Sequence, residues 1–190
     1  MNPDADLASG RLIPLYGLVL MGGQSRRMGR DKSGIVYHQK PQREHLTDLL
    51  APLCERVYWS VNQSQFNQFT YSHLLLDNQP DSGPLGGLVT AFQTYPNAAW
   101  LVVPCDLPNL DTPTLSALLM GRNPSAIATA FWDSDHRGPE PLVSLWEPTA
   151  GPLLTHFYQS GQRSPRRFLL DHNVHLLTAP GGRVFENVNE

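Results

Sequence analysis

Chemistry in this chain concentrates where glycine meets positive charge. Gly22 and Gly23 follow the apolar run Leu18, Val19, Leu20 and Met21, and Arg26, Arg27, Arg30 and Lys32 crowd the loop beyond them. Glycine permits backbone angles closed to other residues and lets main-chain N–H groups approach a ligand. Clustered like charge repels itself unless an anion sits in it, and a phosphate chain is the usual anion. Lys32 and Arg27 would neutralise phosphates and the charge that develops in a transition state. The plainer alternative for both is surface ion pairing, worth little. Two common phosphate loops are excluded by spacing. Gly23 and Gly29 are too far apart for a Walker A loop, Lys32 does not follow Gly29, and no G-x-G-x-x-G occurs.

The second candidate is Asp106, between Pro104-Cys105 and Leu107-Pro108 at the end of an apolar run. A rigid, partly desolvated carboxylate is costly without a cation, and Mg²⁺, which takes oxygen ligands and substrate phosphates, is the natural partner. The alternative is a helix cap for the segment from Leu107. Asp77 could accept hydrogen bonds from a base or ribose, or anchor its own loop. Asn62 could read a base edge with its amide or end a strand as a turn residue. Asp81 shapes its turn, beside Gly83, Gly86 and Gly87. No Ser/His/Asp or Cys/His nucleophile pattern is apparent, and the seven histidines are scattered, His136 and His156 reading as surface or core residues. Transfer of a phosphoryl-type group needs little covalent chemistry from the protein, so this is no objection.

These side chains need a scaffold that brings them together. Apolar runs at 16–21, 57–61, 74–76 and 100–103 read as strands, with short or edge strands at 35–37, 127–131, 142–145, 174–177 and 184–185. Leu46, Leu49, Leu50 and Leu53 fall on one helix face that Pro52 bends or ends, and Leu85, Leu88, Val89 and Phe92 on another. Further helices are expected over 113–120, 148–158 and from 166, with 63–71 as loop and weak helix and 136–141 as a loop. Alternating strands and helices predict an α/β fold: a doubly wound, mostly parallel sheet with helices on both faces, in three layers. Sites in such sheets lie beyond the carboxyl ends of the strands. The Gly22 loop, Asn62, Asp77 and Asp106 all occupy that edge by sequence position.

At 190 residues the chain is expected to form a loose tail over 1–14 and one domain over 15–190, its nucleotide-binding half at about 15–110 and its acceptor-binding half at about 111–190. An apolar fraction of 41% with 16% charged residues fits a globular protein. A net charge of −3 argues against nucleic-acid binding through a broad basic face. No run of about 18 apolar residues exists, so no membrane span is expected, and the first residues show no secretion signal. Cys54 and Cys105 have neither CxxC nor metal spacing and read as buried free thiols in a reducing, cytoplasmic compartment.

Leu20-Met-Gly-Gly-Gln-Ser-Arg-Arg-Met-Gly-Arg-Asp-Lys32 resembles the nucleotide-binding signature of the molybdenum cofactor guanylyltransferases, the MobA-like group, usually LAGGxSxRMGxDK. Val61-Asn62, Asp77 with Gly83-Pro-Leu-Gly-Gly87, Pro104-Cys-Asp-Leu-Pro108, Pro139-Glu-Pro-Leu142, Gly161-Gln-Arg-Ser164 and Asn187-Val-Asn189 follow in the family's order. The resemblance implies a fold like the nucleotide-diphospho-sugar transferases, and transfer of GMP from GTP with Mg²⁺ to molybdopterin (the molybdenum cofactor), with release of pyrophosphate. It implies that Leu20, Met21, Gly22 and Gly23 contact the nucleotide, Lys32 and Arg27 hold its phosphates, Asn62 and Asp77 bind it, and Asp106 ligates Mg²⁺. Asn187 and Asn189 would close the site, Asn189 near the metal, and Arg163, Arg166 and Arg167 would face the pterin. Molybdoenzyme maturation proteins would be further partners.

The chain departs from the family's pattern in three places. Met21 stands where alanine is usual, which would tighten or shift the base pocket. His38-Gln-Lys-Pro41 and the residues after it replace the usual G-K-P-L/M. The chain ends just after Asn187-Val-Asn189, where relatives usually continue into a last helix. Alternative readings are a cytidylyltransferase on the same pterin, a sugar- or polyol-phosphate nucleotidyltransferase, and a non-catalytic nucleotide-binding module. Gly22-Gly23 with Met28-Gly-Arg-Asp31 speak against the first, and the pairing of Lys32 with Asp106 against the last.

Overall fold

The computed structural model describes residues 12–21, 32–77, 83–181 and 185. Seven strands form one sheet: β1 (Leu15–Leu20), β2 (Arg56–Val61), β3 (Leu74–Leu76), β4 (Ala99–Pro104), β5 (Ala128–Trp132), β6 (Pro139–Trp146) and β7 (Val174–Leu177). Their order is β3-β2-β1-β4-β6-β5-β7. Strands β3, β2, β1 and β4 are mutually parallel, β6 runs antiparallel to both β4 and β5, and β7 is parallel to β5.

Side chains of β4 alternate between two cores. Trp100 and Val102 pack with Leu85, Leu88, Phe92, Leu154 and Phe168 on one face. Leu101 and Val103 pack with Leu46, Leu50, Leu115 and Leu118 on the other. A strand covered on both faces must be apolar throughout, which is why β4 reads as an unbroken apolar run. The helices accordingly make the outer layers. α1 (Gln42–Leu50) and α4 (Thr112–Met120) cover one face. α3 (Gly83–Thr94), α5 (Ala150–Gln159) and α6 (Pro165–Leu170) cover the other. The short α2 (Gln63–Gln68) joins β2 to β3.

Local readings of the sequence change in three places. Residues 35–37 form no strand; Val36 makes only an isolated bridge to Pro41. α1 begins earlier than its leucine face suggests, because Gln42 is buried with Leu46 and Leu50. β6 begins at Pro139, so the expected loop at 136–141 is half strand. The register slips between Ala130 and Trp132, and such a bulge accommodates prolines that cannot donate to a ladder. Val184 lies outside the described residues. Neither cysteine forms a disulfide; Cys105 is buried as expected, whereas Cys54 is half-buried, and burial of its thiol pushes it up to about 12, which keeps it protonated. No helix among the described residues is long and apolar enough to cross a membrane.

α3 lies unusually close to the sheet. A Cβ on Gly87 would stand 2.4 Å from Ser60 Oγ and 2.9 Å from Leu20 Cδ2. Gly87→Ala is therefore expected to cost about 1–3 kcal/mol through overpacking, even though alanine is the better helix former. Thermal unfolding checks this, and a melting temperature equal to wild type would show that Ser60 and Leu20 yield freely.

Candidate active site

Four consecutive strand ends are tied together by backbone hydrogen bonds. Beyond the last residue of β1, Met21 N–H donates to Ser60 O of β2 at 3.2 Å. Asp77 N–H, just past β3, donates to Val61 O at 2.8 Å, and Cys105 N–H, just past β4, donates to Leu20 O at 3.2 Å. Adjacent strands are about 4.8 Å apart, so these bonds line up Asp77, Asn62, Met21 and the 104–108 loop along one edge. Leu20 and Met21 are buried beneath it.

Asp106 is partly buried and is not the cap of α4. Asp111 does that work, its carboxylate accepting from Thr114 N–H at 2.9 Å ahead of α4. Asn62 does cap a helix: its Oδ1 accepts from Gln65 N–H at 3.0 Å, while Gln65 Oε1 accepts from Asn62 N–H at 3.1 Å. The Asn62 amide nitrogen takes no part in this box. Lys32 opens a 3-10 turn (Lys32–Gly34). The side chain of Lys32, together with Gly22, Gly23, Arg27, Asp81, Asn187 and Asn189, lies outside the described residues.

One residue at this edge carries no role in the sequence reading. β6 is antiparallel to β4, so it starts where β4 stops. The ladder pairs Trp100 with Trp146 and Val102 with Ser144, so the start of β6 lies toward the end of β4, and Glu140 is close enough to feel the Asp106 charge. Burial raises the Glu140 carboxyl above its usual range, the Asp106 and Asp133 charges add to this, and the Leu142 N–H and Arg166 oppose it. The Leu142 N–H donates to Glu140 Oε1 at 3.0 Å and orients the carboxylate. The signal in the sequence was an acidic residue between two prolines; it was obscured because that stretch reads as loop.

Of the three later arginines, Arg166 reaches this edge, donating to Asp133 just beyond β5 at 2.5 Å. Burial raises Asp133, but the Arg137 N–H and the Arg166 guanidinium outweigh it and hold the carboxyl below its usual range. Arg167 instead pairs with Asp171 along α6, and Arg163 donates to Tyr158 O and Gln162 O. A cavity of about 500 Å³ lies elsewhere, lined by Arg43, Trp59, Phe69 and Tyr71, and none of the strand-end residues above lines it.

Among the described residues no three His, Cys, Asp or Glu side chains converge to hold a metal. The donors at the edge are carboxylate oxygens, which suit a hard cation. Mg²⁺ in particular takes one or two carboxylates and completes its shell with water and substrate phosphates.

A doubly wound sheet with acids and an amide along its carboxyl edge is the architecture of nucleotide-binding α/β transferases. A model of the MobA-like NTP transferase domain matches residues 17–176, and the chain belongs to that family of nucleotidyltransferases. It is similar to the molybdenum cofactor guanylyltransferase of Pseudomonas aeruginosa, 34% identical over 177 residues that cover 90% of this chain and 87% of that one. It is also similar to the molybdenum cofactor biosynthesis bifunctional protein of Synechocystis sp., 37% identical over 178 residues. That match covers 93% of this chain and 51% of the relative, so the chain spans about half the relative's length. Among solved structures, molybdopterin-guanine dinucleotide biosynthesis protein A from Archaeoglobus fulgidus shares the fold at a TM-score of 0.69 with 21% identity, over 86% of this chain and 83% of that one.

Proposed function

We propose that this protein transfers GMP from GTP to molybdopterin and releases pyrophosphate. The observation that carries the reading is the alignment of Met21, Asn62, Asp77 and Asp106 along one sheet edge by backbone hydrogen bonds between successive strand ends. Met21 and the glycines after it would meet the nucleotide through backbone. Asn62 offers its amide nitrogen and Asp77 its carboxylate as hydrogen-bonding groups toward base and ribose. Lys32 and Arg27 would hold the phosphates.

Asp106 and Asn189 would hold Mg²⁺, which when bound supplies Lewis-acid charge at the phosphate oxygens. The terminal phosphate of the pterin is itself the nucleophile, attacking the α-phosphorus in line as pyrophosphate leaves. The residues therefore bind, align and neutralise, and none forms a covalent bond to the substrate. Arg166 and Glu140 lie on the β5–β6 side of Asp106, where the acceptor would enter.

The test is a nucleotide screen with Mg²⁺ and molybdopterin that reads pyrophosphate. GTP is expected to exceed CTP, ATP and UTP by at least roughly 100-fold, because a site that hydrogen-bonds one base leaves groups unpaired with another. Preference for CTP would move the protein to the cytidylyl branch. Tight GTP binding without pyrophosphate from any nucleotide would move it to the binding modules.

A further inference from the structure

Gln42, the first residue of α1, is wholly buried. A polar side chain at such a position needs a partner, and this one reaches across the molecule. Its Nε2 donates to Leu107 O, the residue immediately after Asp106, at 3.1 Å. Its backbone N–H donates to Ile35 O at 2.9 Å. Ile35 directly follows the turn that Lys32 opens. One residue thus binds the segment of the phosphate-holding lysine to the loop of the metal-holding aspartate.

A second contact reinforces it. His38 Nε2 lies 2.8 Å from Pro108 O. A carbonyl can only accept, so Nε2 carries the proton. The ring is held by stacking on His45, with centroids 4.1 Å apart. Two consecutive carbonyls beyond Asp106 are therefore clamped from the same short connection into α1. This is also the connection in which the chain departs from its family's usual pattern.

We infer that Gln42, assisted by His38, is a positioning residue that sets the distance between the Lys32 segment and the Asp106 carboxylate. The inference rests on Asp106 holding the metal, as proposed above. A residue of this kind acts on the geometry of metal and phosphate rather than on the chemistry. Its loss shows first in metal affinity, because partners that orient a metal ligand typically change that affinity by about 10–100-fold.

The experiment measures Mn²⁺ affinity by electron paramagnetic resonance at saturating GTP without acceptor, alongside GTP affinity without metal and the melting temperature. Gln42→Leu keeps the volume and removes the donor. It is expected to weaken Mn²⁺ binding about 10-fold while metal-free GTP affinity changes less than about twofold. Wild-type Mn²⁺ affinity in folded Gln42→Leu overturns the inference. Should that variant fail to fold, His38→Ala, at an exposed position, carries the test. A rise of about threefold in its Mn²⁺ dissociation constant supports the clamp, and no change overturns it. Asp106→Asn separates the two levels. If it too binds Mn²⁺ like wild type, the metal reading itself falls. If it alone loses Mn²⁺, only the clamp does.

Discussion

Asp106→Ala is expected to lower magnesium-dependent pyrophosphate release about 10³-fold, corresponding to about 4 kcal/mol of lost transition-state stabilisation. The fold should survive. The cap of α4 is Asp111 and not Asp106, and the 104–108 loop is held through its backbone by Cys105 N–H, Gln42 and His38. A second, independent consequence follows at Glu140. Burial raises its carboxyl, the Leu142 N–H and Arg166 lower it, and the Asp106 and Asp133 charges raise it by smaller amounts. Removing the Asp106 charge should let it ionise at lower pH, which carboxyl-labelled NMR would read without any substrate. Unchanged turnover would end the assignment of Asp106 to the metal. An unmoved Glu140 titration would show that the two strand ends do not feel one another.

The largest expected loss of stability lies at the opposite end of β6. Glu147 follows the last residue of that strand, is almost fully buried, and accepts from both Arg122 Nε at 2.7 Å and an Arg122 terminal nitrogen at 2.8 Å. Forked pairing of this kind satisfies both carboxylate oxygens at once. Arg122→Ala leaves a buried charge with no counterion, which costs roughly 3–5 kcal/mol. For a chain of this size that is a fall in melting temperature of roughly 10 °C. Replacing Glu147 by glutamine in the same molecule should recover part of the loss, since the charge goes with its partner. Specific activity per folded molecule should hold, because the pair sits at the far edge of the sheet from Asp106. A fall below about 2 °C would mean that water reaches Glu147 once the arginine is gone.

Much of this architecture was legible in residue order. The apolar run of β4 announced a strand covered on both faces, and the apolar run before Gly22 announced β1. Asn62, Asp77 and Asp106 could be placed at strand ends because a parallel sheet puts all such ends on one side. Glu140 could not be placed in this way. Its position depends on β6 running antiparallel, and proline on either side made its stretch read as a loop. Nor could a linear reading tell that Asp111, and not Asp106, caps α4, since both are aspartates ahead of the same helix.

What the sequence by itself determined is therefore the fold class, because periodicity acts over a few neighbouring residues and apolar runs mark the strands. What only the tertiary structure decided is who meets whom at the site. Gln42 reaches Leu107 across 65 positions, and Arg166 reaches Asp133 across 33. Such pairings depend on strand direction and on how each helix lies on the sheet, and no local pattern encodes either.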